Sequence, residues 1–174
     1  MGKIAPLEAS ILFVGILFRQ KECVATAREQ LKQKFGDILM ESPFLPWHYT
    51  DYYQDELGCP IMRTFLFFRD VINPGDLADI KLTTREIEYQ LSEHEKRTVN
   101  LDPGYLTLAK VVLASTKNYS HRIFIGKGIY AEVTLIYKKG QYRPHLFTYM
   151  DYASDTVRGI FEQARDFLKR PNLP

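Results

Sequence analysis

The stretch Ile11-Leu-Phe-Val-Gly-Ile-Leu-Phe18 is a continuous apolar run bounded by polar residues. Its β-branched and aromatic members favour a strand, and the lack of polar positions indicates that both faces of this strand are buried. We therefore expect it to lie in the middle of a sheet. The run has eight residues, whereas a helix needs about 20 to cross a bilayer. Because no basic segment and cleavage site frame it as a signal peptide, we expect a cytoplasmic protein with no membrane partner.

The residues after this run alternate between helical and extended patterns. Apolar positions recur at helical spacing over residues 22–35, and Gly36 follows where a C-terminal cap belongs. Asn73-Pro74 is a favoured beginning for a second helix. Residues 38–40, 61–68 and 98–101 favour strands, the last ending in a turn at residues 102–104. The order βαββαβ predicts an α+β fold with a ferredoxin-like antiparallel sheet and the helices packed on one face.

The last third of the chain predicts β-hairpins that extend this sheet, followed by a C-terminal helix. Residues 105–116 favour a helical turn and then a strand. If Gly126-Lys127-Gly128 forms a three-residue loop, the hairpin places Arg122 opposite Glu132 and keeps one face apolar. A second hairpin turns at Lys139-Gly140, and residues 157–168 have the spacing of an amphipathic helix. Because no linker or repeat interrupts the pattern, we expect a single domain over residues 1–174.

Composition excludes disordered, collagen-like and disulfide-rich proteins and selects no partner. The chain has 23 Lys and Arg against 21 Asp and Glu, a formal net charge of +2, and 45% hydrophobic residues. These proportions are typical of a globular protein, and the charge is too small to favour nucleic-acid binding. Cys23 and Cys59 have neither zinc-ligand nor redox spacing around them. We expect both thiols to be reduced.

Polar residues in the middle and late chain are the candidates for a site. Those near residue 102 end a strand, and those from Lys117 to Arg122 precede the hairpin, so both groups can rim one end of the sheet. Arginine offers a planar fork to phosphate or carboxylate, and lysine a mobile charge. Imidazole and carboxylate groups suit proton transfer. The predicted catalytic residues are His121, Asp102 and Glu132, and the predicted ligand-binding residues are Lys81, Asn100, Lys117, Arg122 and Lys127.

Each of these candidates also has a purely structural explanation. A cross-strand ion pair between Arg122 and Glu132, worth roughly 0.2–1 kcal/mol, accounts for both residues without a ligand. The segment Gly126-Lys127-Gly128 has the glycines of a phosphate loop but joins two strands, as a plain turn does. Asp102 suits a turn or a helix cap, and the acidic residues and histidines are spaced too irregularly to predict a metal site. The aromatic residues 47–53 form either a lid or a packing layer.

Five longer segments carry a resemblance to a known family. They are Tyr49-Thr-Asp-Tyr-Tyr53, Ala78-Asp-Ile-Lys81-Leu-Thr83, Val99-Asn-Leu-Asp-Pro-Gly-Tyr-Leu106, Ser120-His-Arg-Ile123 and Gly128-Ile-Tyr-Ala-Glu-Val-Thr-Leu135. Together they resemble the prokaryotic domain-of-unknown-function family 4416 over nearly the whole chain. Members are often labelled GTP-binding-like, although this sequence has no Asn-Lys-x-Asp motif. The resemblance implies that the signature positions are Lys81, Asn100, Asp102, Tyr105, Lys117, His121, Arg122 and Glu132, which adds Tyr105 to the predicted ligand-binding residues.

One position departs from the family pattern. Arg85 stands where we associate the segment with Lys-Leu-x-Thr-Asn, so no amide role is carried over to it. The resemblance brings no established activity and no cofactor.

Three functions follow from these observations. The first is binding of a small anionic, phosphate-containing ligand such as a nucleotide or sugar phosphate, with hydrolase or transferase activity as an extension. The alternative is a non-catalytic protein-interaction or homo-oligomerisation module, which uses the edge strand near Arg143-Pro144 or the aromatic loop. RNA binding is the third, and the near-neutral charge disfavours it.

Overall fold

The computed structural model describes Lys3 and residues 6–170. Within these residues the helices are α1 (Lys21–Phe35), α2 (Gln54–Leu57), α3 (Leu77–Gln90), α4 (Met150–Ala153) and α5 (Asp155–Phe167). The strands are β1 (Ile11–Phe18), β2 (Ile38–Glu41), β3 (Leu45–Trp47), β4 (Ile61–Val71), β5 (Val99–Leu106), β6 (Lys110–Ser115), β7 (Ile123–Gly126), β8 (Ile129–Lys138) and β9 (Gln141–Arg143).

The strands form one antiparallel sheet with β1 near its middle. The order across the nine-stranded sheet is β2-β4-β1-β5-β6-β8-β7, while β3 pairs with β4 and β9 pairs with β8. Every residue of β1 is buried, which confirms the expectation from its sequence. The predicted α+β class and antiparallel sheet are therefore confirmed, with β3 and α2 inserted between the second and third strands of the expected βαββαβ order.

The helices cover both faces of the sheet. The even-numbered side chains from Leu12 to Phe18 pack against α1 and α3. Ile11 and Phe13 point the other way and pack against α5. The expectation that the helices pack on one face holds for α1 and α3 and is wrong for α5. A strand that is apolar on both faces needs cover on each side, because successive side chains point to opposite faces.

Two local expectations around residue 103 are wrong. Asp102-Pro103-Gly104 lies inside β5, paired with β1, and is not a turn. No helical turn follows it, since β5 continues to Leu106 and β6 begins at Lys110. Residues two apart in a strand direct their N–H groups to the same side. The missing N–H of Pro103 therefore lies on the side where Leu101 donates to a helix side chain, and no bond to β1 is lost.

The hairpin between β7 and β8 reaches the expected pairing by a different route. Lys127 and Gly128 form a two-residue turn with φ of 54° and 75°, a conformation that favours glycine. A bulge between Phe124 and Gly126 supplies the extra residue, so that Ile123 still lies opposite Ala131. The apolar face is preserved because the bulge compensates for the shorter loop.

Candidate functional site

The sheet opens into a gap between β5 and β6. Their ladder joins residues 104–106 to residues 111–113 and goes no further towards the beginning of β5. Side chains of α3 take the place of the missing strand at Leu101. Glu88 Oε1 accepts the Leu101 N–H at 2.6 Å, and Lys81 Nζ donates to the Leu101 carbonyl oxygen at 2.8 Å. Lys81 and Glu88 lie two helical turns apart on the same face of α3, so this one helix satisfies the open edge of β5.

A cleft of about 370 Å³ lies beside this gap. Its walls come from β4, β5, β6, β8, α3, the aromatic segment 47–53 and the segment that carries α4. Six of the residues predicted from sequence line it, namely Lys81, Asn100, Asp102, Lys117, Arg122 and Glu132. Lining residues outside the predicted catalytic and ligand-binding sets include Tyr52, Arg63, Arg85, Glu88, Arg97, Tyr149, Asp151 and Tyr152.

Arg63 of β4 is the central buried cation of the cleft. Its side chain is 5% exposed, and its guanidinium lies against the rings of Phe65 and Tyr152. Nη2 donates to Asp151 at 2.8 Å, and Nη1 donates to Asp102 at 3.3 Å. Burial lowers the pKa of Arg63, but the neighbouring acidic groups raise it further, so the pKa ends above its ordinary value. This arginine stays charged and joins two carboxylates that come from distant parts of the chain.

Arg122 organises the opposite side of the cleft. Its Nε donates to Glu132 Oε2 at 2.6 Å, as the predicted cross-strand pair requires. Nη1 donates to the Ser115 hydroxyl at 2.7 Å, and Nη2 donates to the Tyr149 hydroxyl. The side chains of the ion pair are only 1% and 2% exposed. Arg122 therefore holds the wall of the cleft together through several bonds at once.

Three predicted site residues lie outside the cleft. Lys127 sits at the hairpin turn and pairs with Asp79 on the surface. Tyr105 packs beside the apolar cluster between α3 and β6, because strand alternation directs it away from the face of Asp102. His121 lies behind Glu132, with Nε2 2.8 Å from Oε2 of that carboxylate and its ring stacked on Phe147. The lining of the cleft therefore lacks three of the predicted site residues, His121, Tyr105 and Lys127.

The cleft has an excess of cationic groups. Six arginine and lysine side chains line it against four aspartate and glutamate side chains. Among residues 6–170, Arg85 and Lys117 have no carboxylate within salt-bridge distance, and both are exposed. Lys117 Nζ lies 4.1 Å from the ring centroid of Tyr52. The two unpaired cations come from different elements, α3 and the segment after β6.

Two buried polar atoms of the cleft residues lack hydrogen-bond partners within the described part of the chain. They are Nε of Arg63 and the hydroxyl of Tyr152. A buried polar group without a partner costs about 1–3 kcal/mol. Such groups in a cleft are natural partners for an oxygen atom of a ligand or of water.

Glu88 offers a test of the gap itself. Burial raises the pKa of Glu88, although Lys81 and the Leu101 N–H lower it in part. A carboxyl with a raised pKa binds its proton more tightly in the folded chain, so its ionisation reduces stability as pH rises above the ordinary glutamate range. Glu88→Gln cannot ionise and keeps an oxygen for Leu101. We expect the free energy of unfolding of Glu88→Gln, measured by urea titration, to rise relative to that of the wild type as the pH increases from acid to neutral.

Glu86→Gln is the matched control for this experiment. Glu86 is an exposed carboxyl on the same helix, so its replacement reproduces the change in net charge without altering the gap. A Glu88→Gln protein that follows Glu86→Gln across the whole pH range would contradict the expectation.

Groups of metal ligands and membrane-spanning helices are both absent from Lys3 and residues 6–170. Within these residues no group of three or more His, Cys, Asp or Glu side chains is arranged to hold a metal ion. No helix in this part of the chain is both long and apolar enough to span a bilayer.

Comparison with known proteins supports the resemblance seen in the sequence. The family model described as Domain of unknown function (DUF4416) matches residues 8–167. Comparisons with curated proteins and with solved structures find no match. The matched range contains every element that forms the sheet and the cleft. The chain therefore belongs to the family of domains of unknown function DUF4416.

Proposed function

We propose that the cleft binds a small anionic, phosphate-containing ligand such as a nucleotide or a sugar phosphate. The observation that carries this proposal is the pair of unpaired cations, Arg85 and Lys117, on two walls of one cleft. Arginine can donate two parallel bonds to a phosphate, and lysine adds a charge that can move to meet it. A phosphate group between them would give each cation the partner that the protein does not supply.

The buried arginines have a different role in this proposal. Arg63 already donates to Asp102 and Asp151, and Arg122 already donates to Glu132. Both therefore fix the walls and leave binding to the exposed cations. Replacing Arg122 would therefore disturb the fold as well as the ligand. Variants at Arg85 and Lys117 separate the two effects, because exposed side chains without ion pairs contribute little to stability.

The aromatic wall distinguishes a nucleotide from a sugar phosphate. Tyr52 is 59% exposed and lines the cleft beside Lys117. A base stacked on an aromatic ring gains about 1–3 kcal/mol, whereas a sugar packs on the ring only through its C–H groups and has no π-face of its own. Tyr52→Ala should therefore weaken the binding of a nucleotide by more than it changes the binding of inorganic phosphate.

If the ligand reacts, we expect Asp102 and Glu132 to exchange protons with it. Both carboxylates line the cleft, whereas His121 lies outside the lining and reaches Glu132 from behind. Release of inorganic phosphate from a bound probe would distinguish a hydrolase from a binding protein.

Thermal shift and calorimetric titration of the full chain test the proposal. The probes are inorganic phosphate, pyrophosphate, ATP, GTP and glucose 6-phosphate. We expect at least one probe to raise the melting temperature, as any ligand of the native state does. A charge-assisted bond is worth about 1.5–3 kcal/mol, so Arg85→Ala or Lys117→Ala should raise the Kd at least about 10-fold, and the double variant about 100-fold.

Lys21→Ala with Lys34→Ala is the control for lost charge. Both lysines are exposed on α1 and lie outside the cleft lining, so this variant should bind like the wild type. The proposal fails if no probe stabilises the wild type, or if the Arg85 and Lys117 variants bind a probe as tightly as the control.

A further inference from the structure

Large apolar side chains are exposed together around β7. Their exposed fractions lie between 36% and 88%. Several are linked by contacts, since Phe147 stacks on His121 and the Tyr149 hydroxyl accepts from Arg122, the residues that precede β7. We call this set the edge patch, and it consists of Ile123, Phe124, Ile125, Val133, Leu146, Phe147, Tyr149 and Met150.

The strand at the centre of the edge patch ends the sheet with an apolar edge. β7 is the last strand in the sheet order, and it reads Ile-Phe-Ile-Gly with both faces uncovered. Exposed edges normally carry charges or prolines that prevent pairing with another chain. The other edges follow this rule, because Glu41 of β2 pairs with Arg28, Pro46 lies in β3 and Pro144 follows β9. Only β7 among the described edges has neither feature within the strand.

The segment that follows β9 bonds to the backbone in the middle of β8 and extends the edge patch. The His145 ring contacts the Val133 carbonyl oxygen, and the Thr148 hydroxyl donates to the Thr134 carbonyl oxygen at 2.6 Å. These bonds hold Leu146 and Phe147 in place with their apolar surface outward. Hydrogen bonds to β8 therefore fix the position of this part of the edge patch.

The exposed area matches what a stable dimer requires. A residue of this size exposes about 200 Å² when fully accessible, so the exposed fractions of the edge patch leave roughly 900 Å². A standard interface takes about 800 Å² from each partner. A two-fold axis beside β7 would pair it with its own copy in antiparallel orientation, which continues the pattern of the whole sheet.

We propose that the edge patch binds a second copy of this chain, with β7 paired to β7 across a two-fold axis. The pairing gives each apolar strand edge a partner and covers both copies of the patch. Tyr149 belongs to the patch and also lines the cleft, so the interface lies directly beside the candidate ligand site. The proposal does not depend on what the cleft binds.

Sedimentation equilibrium of the full chain over a range of concentrations tests this interface. The wild type is expected to have twice the mass of one chain. Phe124→Lys places a charge in both halves of the symmetric interface, and loss of a central aromatic contact should raise the dimer Kd about 30-fold or more. Tyr89→Lys is the matched control, because Tyr89 is 84% exposed on α3 and outside the patch; it should remain dimeric.

Hydrogen exchange of the β7 amides provides a second measurement that needs no variant. The β7 amides that point away from β8 should be protected at high protein concentration and exchange faster on dilution, whereas the β1 amides stay protected throughout. A wild type that is monomeric at every concentration overturns the proposal, and so does a dimer whose β7 amides exchange equally fast at all concentrations. A dimer that Phe124→Lys leaves intact overturns it too, as does a wild-type chain that associates only with a different protein.

Discussion

Arg63→Met is expected to lower the free energy of unfolding by about 3–5 kcal/mol, because it removes one partner of a buried ion pair and leaves the other charged. Asp151 is 5% exposed, and Arg63 is its only cationic partner among the described residues. Without the guanidinium, its carboxylate keeps a single side-chain donor, the indole N–H of Trp47 at 3.2 Å. Urea titration at neutral pH measures the loss.

A double variant separates the loss of charge pairing from the loss of packing. Arg63→Met with Asp151→Asn removes both buried charges, so it should recover part of the stability that Arg63→Met loses. Arg28→Met is the surface control, since Arg28 pairs with Glu41 in the open and such pairs contribute about 0–1 kcal/mol. If Arg63→Met costs no more than Arg28→Met, the buried network does not support the fold as argued.

Gly104→Ala is expected to cost about 3 kcal/mol or more, since it forces an additional methyl group into a filled space. A Cβ atom at this position would overlap the backbone carbonyl oxygen of Val112 and approach Cζ of Phe13 to 2.5 Å. Neither neighbour can retreat easily, because one belongs to the paired strand and the other to the core. Thermal unfolding of the variant should show the loss.

Gly159→Ala is the opposite case and serves as the control. Gly159 lies within α5, and a Cβ there meets no atom within 4 Å. The substitution should raise stability by about 0.4–1 kcal/mol by restricting the unfolded chain. Equal effects at the two glycines would contradict the view that close approach explains Gly104.

The sequence predicted those parts of the fold that local patterns determine. Residues 11–18 are apolar at every position, and the short length and the β-branched and aromatic members of this run favour a buried central strand. Gly36 ends α1 with φ of 87° and donates to Lys32, as its position after a helical pattern indicated. Residues 102–104 were predicted wrongly by the same approach, because proline and glycine are rare inside paired strands and common in turns. Proline is tolerated here because no strand pairs with β5 on the side of its missing N–H.

The candidate site was predictable only in part for a related reason. Arg122 and Glu132 could be paired from the hairpin alone, since cross-strand neighbours follow from the alternation of side chains. Arg63 and Asp151 lie 88 residues apart, and no local pattern joins them. One signal was available, because Arg63 is the only charged residue in the mainly apolar stretch 61–68, and such a residue needs a buried partner.

The two side chains that satisfy Leu101 are separated by seven residues, close to two full turns of helix. Inserting or deleting one residue between Lys81 and Glu88 would rotate one relative to the other by roughly 100°, so that only one could reach the strand. The length of this stretch is therefore under tighter constraint than the identity of its solvent-facing residues. The spacing along one helix therefore fixes where α3 lies against the unpaired edge of β5.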